Sequence, residues 1–141
     1  MTATIALADP AARDPAVAGA KAARLADAAG AGLPVLPGRV LPRDASSDAV
    51  ARGVDAIEAG SGASRAYLAA VESVVAAELV EELVPSRGPG SQPLVARSST
   101  VLDDDGRWSG AFASYLGIEA SDLPTAVRGC WASAFTTDAL A

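Results

Sequence analysis

Glycine and proline punctuate this sequence densely, with 13 glycines and 9 prolines among 141 residues, so no regular element runs far before it is stopped. Proline lacks the amide proton that a helix or an inner strand needs, and glycine costs a helix about 1 kcal/mol relative to alanine. The run Leu33-Pro34-Val35-Leu36-Pro37-Gly38-Arg39-Val40-Leu41-Pro42 therefore excludes a helix and favours an extended path, with an edge strand near residues 39–41. Residues 85–93 hold three prolines and two glycines and predict a loop.

Between these marks the pattern alternates helix and strand. Residues 4–8 read as a strand, followed by an Asp-Pro linker over 9–15 and a helix starting at Pro15 or Ala16. Helix formers fill 17–29, with Val17, Leu25 and Ala28 able to share a face, until Gly30 and Gly32 stop the run. Ser46 and Ser47 are placed to cap a helix over 48–59. Gly60 and Gly62 separate it from a second helix over 63–83, whose stripe is Tyr67, Ala70, Val71, Val74, Val75 and Leu79.

A short buried strand is expected at 94–97, with Arg97 emerging at its end, then an Asp103-Asp104-Asp105-Gly106 turn and a second strand over 110–118 forming a hairpin with the first. Ser121 or Asp122 caps a last helix with Pro124 in its first turn. Val127, Cys130, Trp131, Ala134 and Phe135 give that helix the cleanest amphipathic spacing in the chain. The expectation is one α+β domain over 1–141, helices packed on a small, mostly antiparallel sheet. Ending at Ala141, directly after that helix, with neither a capping glycine nor a polar tail, the sequence reads as part of a longer domain.

Half the residues are hydrophobic, but alanine supplies many of them and only 4% are aromatic, so the core is expected to be thin and packed from small side chains. No uncharged run approaches the roughly 18 apolar residues that span a bilayer, and residues 1–14 carry no basic start before an apolar stretch. A cytoplasmic protein without membrane partners is the expectation. A net charge of −6 opposes nucleic acid as a partner. One cysteine, Cys130, excludes an internal disulfide, and the absence of histidine removes histidine-activated nucleophiles, paired-histidine zinc sites and a phosphohistidine carrier.

Chemistry must then rest on lysine, arginine, carboxylates or hydroxyls. Lys21 is the single lysine beside ten arginines. It is either a phosphate ligand or a solvated side chain on a helix face. Its surroundings, Gly19-Ala20-Lys21-Ala22-Ala23, lack the glycine spacing and the hydroxyl of a P-loop. Arg97 precedes Ser98-Ser99-Thr100, a guanidinium and three hydroxyls that either hold phosphate oxygens or pin a turn. Asp103, Asp104 and Asp105 read as a solvated turn rather than a metal site. Trp131 belongs to the apolar stripe, and Trp108, beside a turn, is the freer indole.

Four stretches, in order, resemble one family. Ala18-Gly19-Ala20-Lys21-Ala22-Ala23-Arg24-Leu25 with Ala31-Gly32-Leu33-Pro34-Val35-Leu36-Pro37-Gly38 is similar to the GGKGANL and AGLPVPPG signature that opens the nucleotide-binding domain of phosphoenolpyruvate synthases and pyruvate phosphate dikinases, a domain shared with rifampicin phosphotransferases. Val95-Ala96-Arg97-Ser98-Ser99 resembles their V-x-RSS, Trp108-Ser109-Gly110 their F-A-G, and Arg128-Gly129-Cys130-Trp131-Ala132-Ser133-Ala134-Phe135 their RxCWASLF helix.

The resemblance implies the N-terminal part of an ATP-grasp-like domain that binds ATP with Mg2+ in a kinase passing a phosphoryl group to a histidine on a separate domain. By position, Lys21 and Arg97 would contact ATP phosphates, and Gly110 and Ser114 would lie under a phosphate-covering hairpin. It implies no catalytic residue and no metal ligand in this chain. The Mg2+ carboxylates, the adenine clamp, and the phosphohistidine and pyruvate-binding domains of the family correspond to nothing here, which makes the chain inactive alone. A non-catalytic nucleotide-binding module and a degraded remnant are the alternatives. Ala20 and Ala22 stand where the family has glycines, Ala111 where it has glutamine, and the acidic turn before Trp108 is shorter.

Overall fold

In the computed structural model, residues 3–84, 92–108 and 110–140 are described, without the side chains of Asp104 and Asp138. The fold is mixed α and β, dominated by helices, with two two-stranded antiparallel sheets among the described residues. No described helix is long and apolar enough to cross a membrane. The chain divides into two compact units, Met1–Ala45 with Ser99–Ser109, and Ser46–Ser98 with Gly110–Ala141.

In the first unit, β1 (Ile5–Ala6) leads into a 3-10 turn at Pro10–Arg13 capped by Asp9, and α1 runs over Pro15–Gly30. Asp14 caps α1 by accepting from the Ala16 amide at 2.9 Å, and Pro15 fills the first position, where its missing amide proton is no loss. Gly32, with φ +81°, closes the helix exit as the glycine pair predicts. Then β2 (Arg39–Val40) pairs antiparallel with β1, Ile5 opposite Val40. Both strands are shorter than expected, β1 within the predicted 4–8 and β2 one residue short of 39–41.

The core of this unit is Leu7, Ala12, Ala18, Ala22, Ala26 and Val40, backed by Ile5 and Val35. The expected face of α1 is corrected here. Leu25 is exposed and Val17 and Ala28 are only half-buried, while Ala18, Ala22 and Ala26, at helical spacing, face inward. A methyl-sized face lets the helix approach its neighbours at a distance that leucine would not allow.

In the second unit, α2 (Ser47–Glu58), α3 (Ala63–Val71) and α4 (Ala77–Leu83) follow one another. Ser46 occupies the N-cap position of α2, though its side chain makes no capping bond there. The single helix expected over 63–83 is broken between α3 and α4. Ser73, Val74 and Val75 are weak helix formers, and around the break Val75 and Leu79 are buried while Val74 is exposed.

The hairpin forms as expected, β3 (Leu94–Arg97) antiparallel to a shorter β4 (Ser114–Ile118), with Arg97 opposite Ser114 and Ala96 opposite Tyr115. The expectation of a buried first strand is corrected: side chains of β3 alternate between half-buried and exposed, because this two-stranded sheet is covered on one face only. Gly117, with φ +66°, sits at the register shift and returns Ile118 to the covered face. The loop expected over 85–93 falls mostly outside the described residues.

Finally α5 (Leu123–Ala132), with Pro124 in its first turn, and α6 (Thr137–Leu140) close the chain. Asp122 is the N-cap residue of α5 but makes no side-chain capping bond. Ala49, Ala66, Ala70, Ala132 and Phe135 form the core, with Tyr67, Val71 and Trp131 packed against it. Gly53 lies directly against the Phe135 ring, with no room for a methyl group. The alanines of this cluster agree with the small-residue core expected from the composition.

Candidate functional site

The helix carrying Lys21 is not continuous at its start. After one turn, Gly19 adopts φ 78° and ψ 165°, a conformation that residues with a Cβ avoid, and the helix then resumes. The glycine is required for a second reason: a Cβ there would collide with the backbone carbonyl of Ser99. This close approach brings the segment after β3 onto the restart of α1.

The resumed helix has unsatisfied amides, and the incoming segment takes two of them. Thr100 O accepts from the Ala20 amide at 2.9 Å, and Ser99 Oγ accepts from the Ala22 amide at 2.9 Å. Lys21 lies between these two anchors. Its ammonium sits 3.0 Å from Asp103 Oδ1.

Asp103 is itself fixed. Its Oδ2 accepts from the Thr100 amide at 2.7 Å, and Thr100 Oγ1 accepts from the Leu102 amide at 3.1 Å, a capping box on the 3-10 turn Val101–Asp104. The two ends of the ion pair differ in surroundings. The Asp103 side chain is 3% exposed and that of Lys21 is 34% exposed, so the carboxylate is sealed while the ammonium still meets water.

The expectation of a solvated aspartate turn is therefore corrected at Asp103. Asp103 is buried as the counter-ion of Lys21, and Asp105 binds Arg107, whose guanidinium and backbone amide hold the Asp105 carboxyl below its ordinary value. No three metal-ligating side chains come together among the described residues. Lys21 itself is partly solvated and paired with Asp103, so it is neither free on a helix face nor without a nearby carboxylate.

The other predicted residues lie in the second unit. Arg97 ends β3 directly opposite Ser114 of β4, and both are exposed on the open face of the hairpin with Val95 and Leu116. Cross-strand neighbours of this kind have Cβ atoms about 5 Å apart, so one oxyanion can touch both side chains. Gly110, with φ +76° and open space around it, sits in the approach to β4 rather than in the strand expected from residue 110.

The three hydroxyls after Arg97 have separate fates. Ser99 and Thr100 serve the backbone as described, and the Ser98 Oγ is buried without a hydrogen-bond partner. Trp108 ends the 3-10 turn Gly106–Trp108 and is half-buried, as is Trp131. Cys130 is half-buried too, its thiol donating to Ala113 O at 3.9 Å.

Sequence reasoning missed Gly19, Ser99 and Asp103 as members of the Lys21 cluster. The spacing of Thr100 and Asp103 is a legible capping-box signal. Nothing local signals an ion pair between residues 21 and 103. No protein-family model, no curated protein and no solved structure matches this chain, so the likeness to the dikinase family rests on its four motifs alone.

Proposed function

We propose that this chain is an ATP-binding portion of a phosphotransferase of the phosphoenolpyruvate synthase and pyruvate phosphate dikinase type, with an ATP-grasp-like fold and a cytoplasmic location. The observation that carries this reading is the Lys21 cluster. The one lysine of the chain stands at a glycine-bounded helix restart, held in place by a sealed carboxylate and still open to water. Positioned cations are what phosphoryl groups require, since transfer proceeds by charge neutralisation and alignment.

In this reading Lys21 contacts phosphate oxygens, and the resemblance alone assigns Arg97 to phosphate as well and puts Gly110 and Ser114 under a phosphate-covering hairpin. Mg2+ would arrive with the nucleotide, as the resemblance implies. A histidine carrier has to come from another domain or chain, as this sequence holds no histidine. The chain by itself then binds without turnover.

Calorimetry with ATP and Mg2+ tests the proposal. Weak binding is expected, lost in Lys21→Ala and reduced in Arg97→Ala, with no ATP hydrolysis by the purified chain. Equal affinity in all three proteins refutes the assignment of these residues. Turnover by the isolated chain refutes its description as a binding portion.

A further inference from the structure

We propose that Asp103 is a fixed counter-charge that limits the affinity of Lys21 for phosphate, an inference that rests on the phosphate reading of Lys21 given above. The Lys21 Nζ to Asp103 Oδ1 distance of 3.0 Å makes the pair electrically neutral, in a protein whose net charge is already −6. A phosphate reaching that ammonium meets no net attraction, and it meets a carboxylate a few ångströms away. A charge this close is felt strongly even at an effective dielectric of about 20.

The carboxylate cannot move aside cheaply. Its other oxygen holds the Thr100 amide at 2.7 Å, and the same segment supplies Thr100 O to the Ala20 amide and Ser99 Oγ to the Ala22 amide. Swinging Asp103 out would undo the capping box that positions those two acceptors. The ammonium, by contrast, is a three-donor group on a flexible stem with water on one side. Lys21 can turn toward a ligand while Asp103 stays, so the carboxylate acts through Lys21 as a positioning and affinity-setting residue.

The two functions of Asp103 separate by substitution. Asp103→Asn keeps an oxygen to accept from Thr100 and removes the charge, whereas Asp103→Ala removes both. If Asp103 were purely structural, neither variant would gain affinity for an anion. A counter-charge predicts that Asn gains it.

The test is calorimetry with inorganic pyrophosphate in the presence of a chelator, on the wild type, Asp103→Asn, and Asp103→Asn combined with Lys21→Ala, at low and high salt. Asp103→Asn is expected to bind on the order of tenfold tighter than wild type, with the gain shrinking at high salt and absent in the double variant. Unchanged or weaker binding by folded Asp103→Asn overturns the inference while leaving Lys21-dependent binding of ATP intact. Binding by none of the proteins to either pyrophosphate or ATP with Mg2+ overturns this inference and the function it rests on.

Should Asp103→Asn fail to fold, the single lysine gives a second measurement on the wild type. The rate at which an amine reagent acetylates Lys21, read by mass spectrometry, should rise with added neutral salt as the ion pair weakens and fall with pyrophosphate. A rate indifferent to both overturns the inference.

Discussion

Gly19 in the first unit and Gly53 in the second are each pressed against a segment distant in sequence, and the two contacts achieve different things. Gly53 admits the Phe135 ring, and the result is apolar packing among α2, α3 and α5. Gly19 admits the Ser99 backbone, and the result is an array of polar groups: two amides occupied, one capping box and one ion pair. Close approach in the second unit fills a core that alanines alone would leave thin. In the first unit it organises a lysine.

That contrast is open to direct attack, and the largest effect should come from the ring. Phe135→Ala removes the only large side chain among the buried members of its cluster, and is expected to cost about 3–5 kcal/mol in urea unfolding. A loss below about 1 kcal/mol would mean that the alanines pack without the ring.

Gly19→Ala comes next. It forces a Cβ into a positive-φ conformation and against the Ser99 carbonyl, with an expected cost of about 2–3 kcal/mol. Unlike Phe135→Ala, it should also raise the reactivity of Lys21 toward amine reagents in the folded protein, because the segment bearing Asp103 is displaced. Stability loss without a change at Lys21 would separate the glycine from the polar array.

The smallest effect is alkaline. Burial, reinforced by Tyr67 and Cys130, raises the Tyr115 hydroxyl above its ordinary pKa of 10.0. The folded state therefore holds this proton more tightly than the unfolded chain, and the associated stability is present below about pH 10 and lost as pH rises through the folded value. Tyr115→Phe should flatten that alkaline decline and cost roughly 1 kcal/mol at neutral pH through the lost Tyr67 contact. An identical alkaline limb in the variant would assign the decline to other groups.

Local chemistry made much of the fold legible. Pro15 starts α1 and Gly30 with Gly32 ends it, Arg39–Val40 pairs as an edge strand, and Leu94–Arg97 pairs antiparallel with the strand after the acidic turn. Alanine hid the rest, because a side chain that fits any environment carries no periodic signal. Leu25 looked like the inward residue of α1 and is exposed, while Ala18, Ala22 and Ala26 carry the face. The break at residues 72–76 was hidden for a related reason, since a stripe of valines is equally compatible with one helix or two.

The candidate site was half legible. Lys21 and Arg97 stand out by residue type and by motif, Ser114 only by the family resemblance, and the hairpin register that puts Ser114 opposite Arg97 is a finding of the structure. Asp103 did not stand out, because pairing across 82 positions depends on the Gly19 approach, which no local pattern encodes.

The most direct test of the Lys21 assignment uses its uniqueness. Reductive methylation with an isotope label places one side-chain signal in the protein besides that of the amino terminus, and keeps the charge. Titration with ATP and Mg2+ is predicted to shift that signal saturably, with the apparent affinity weakened by salt. A Lys21 signal that stays in place while nucleotide reaches millimolar concentration would contradict the claim that this lysine holds phosphate.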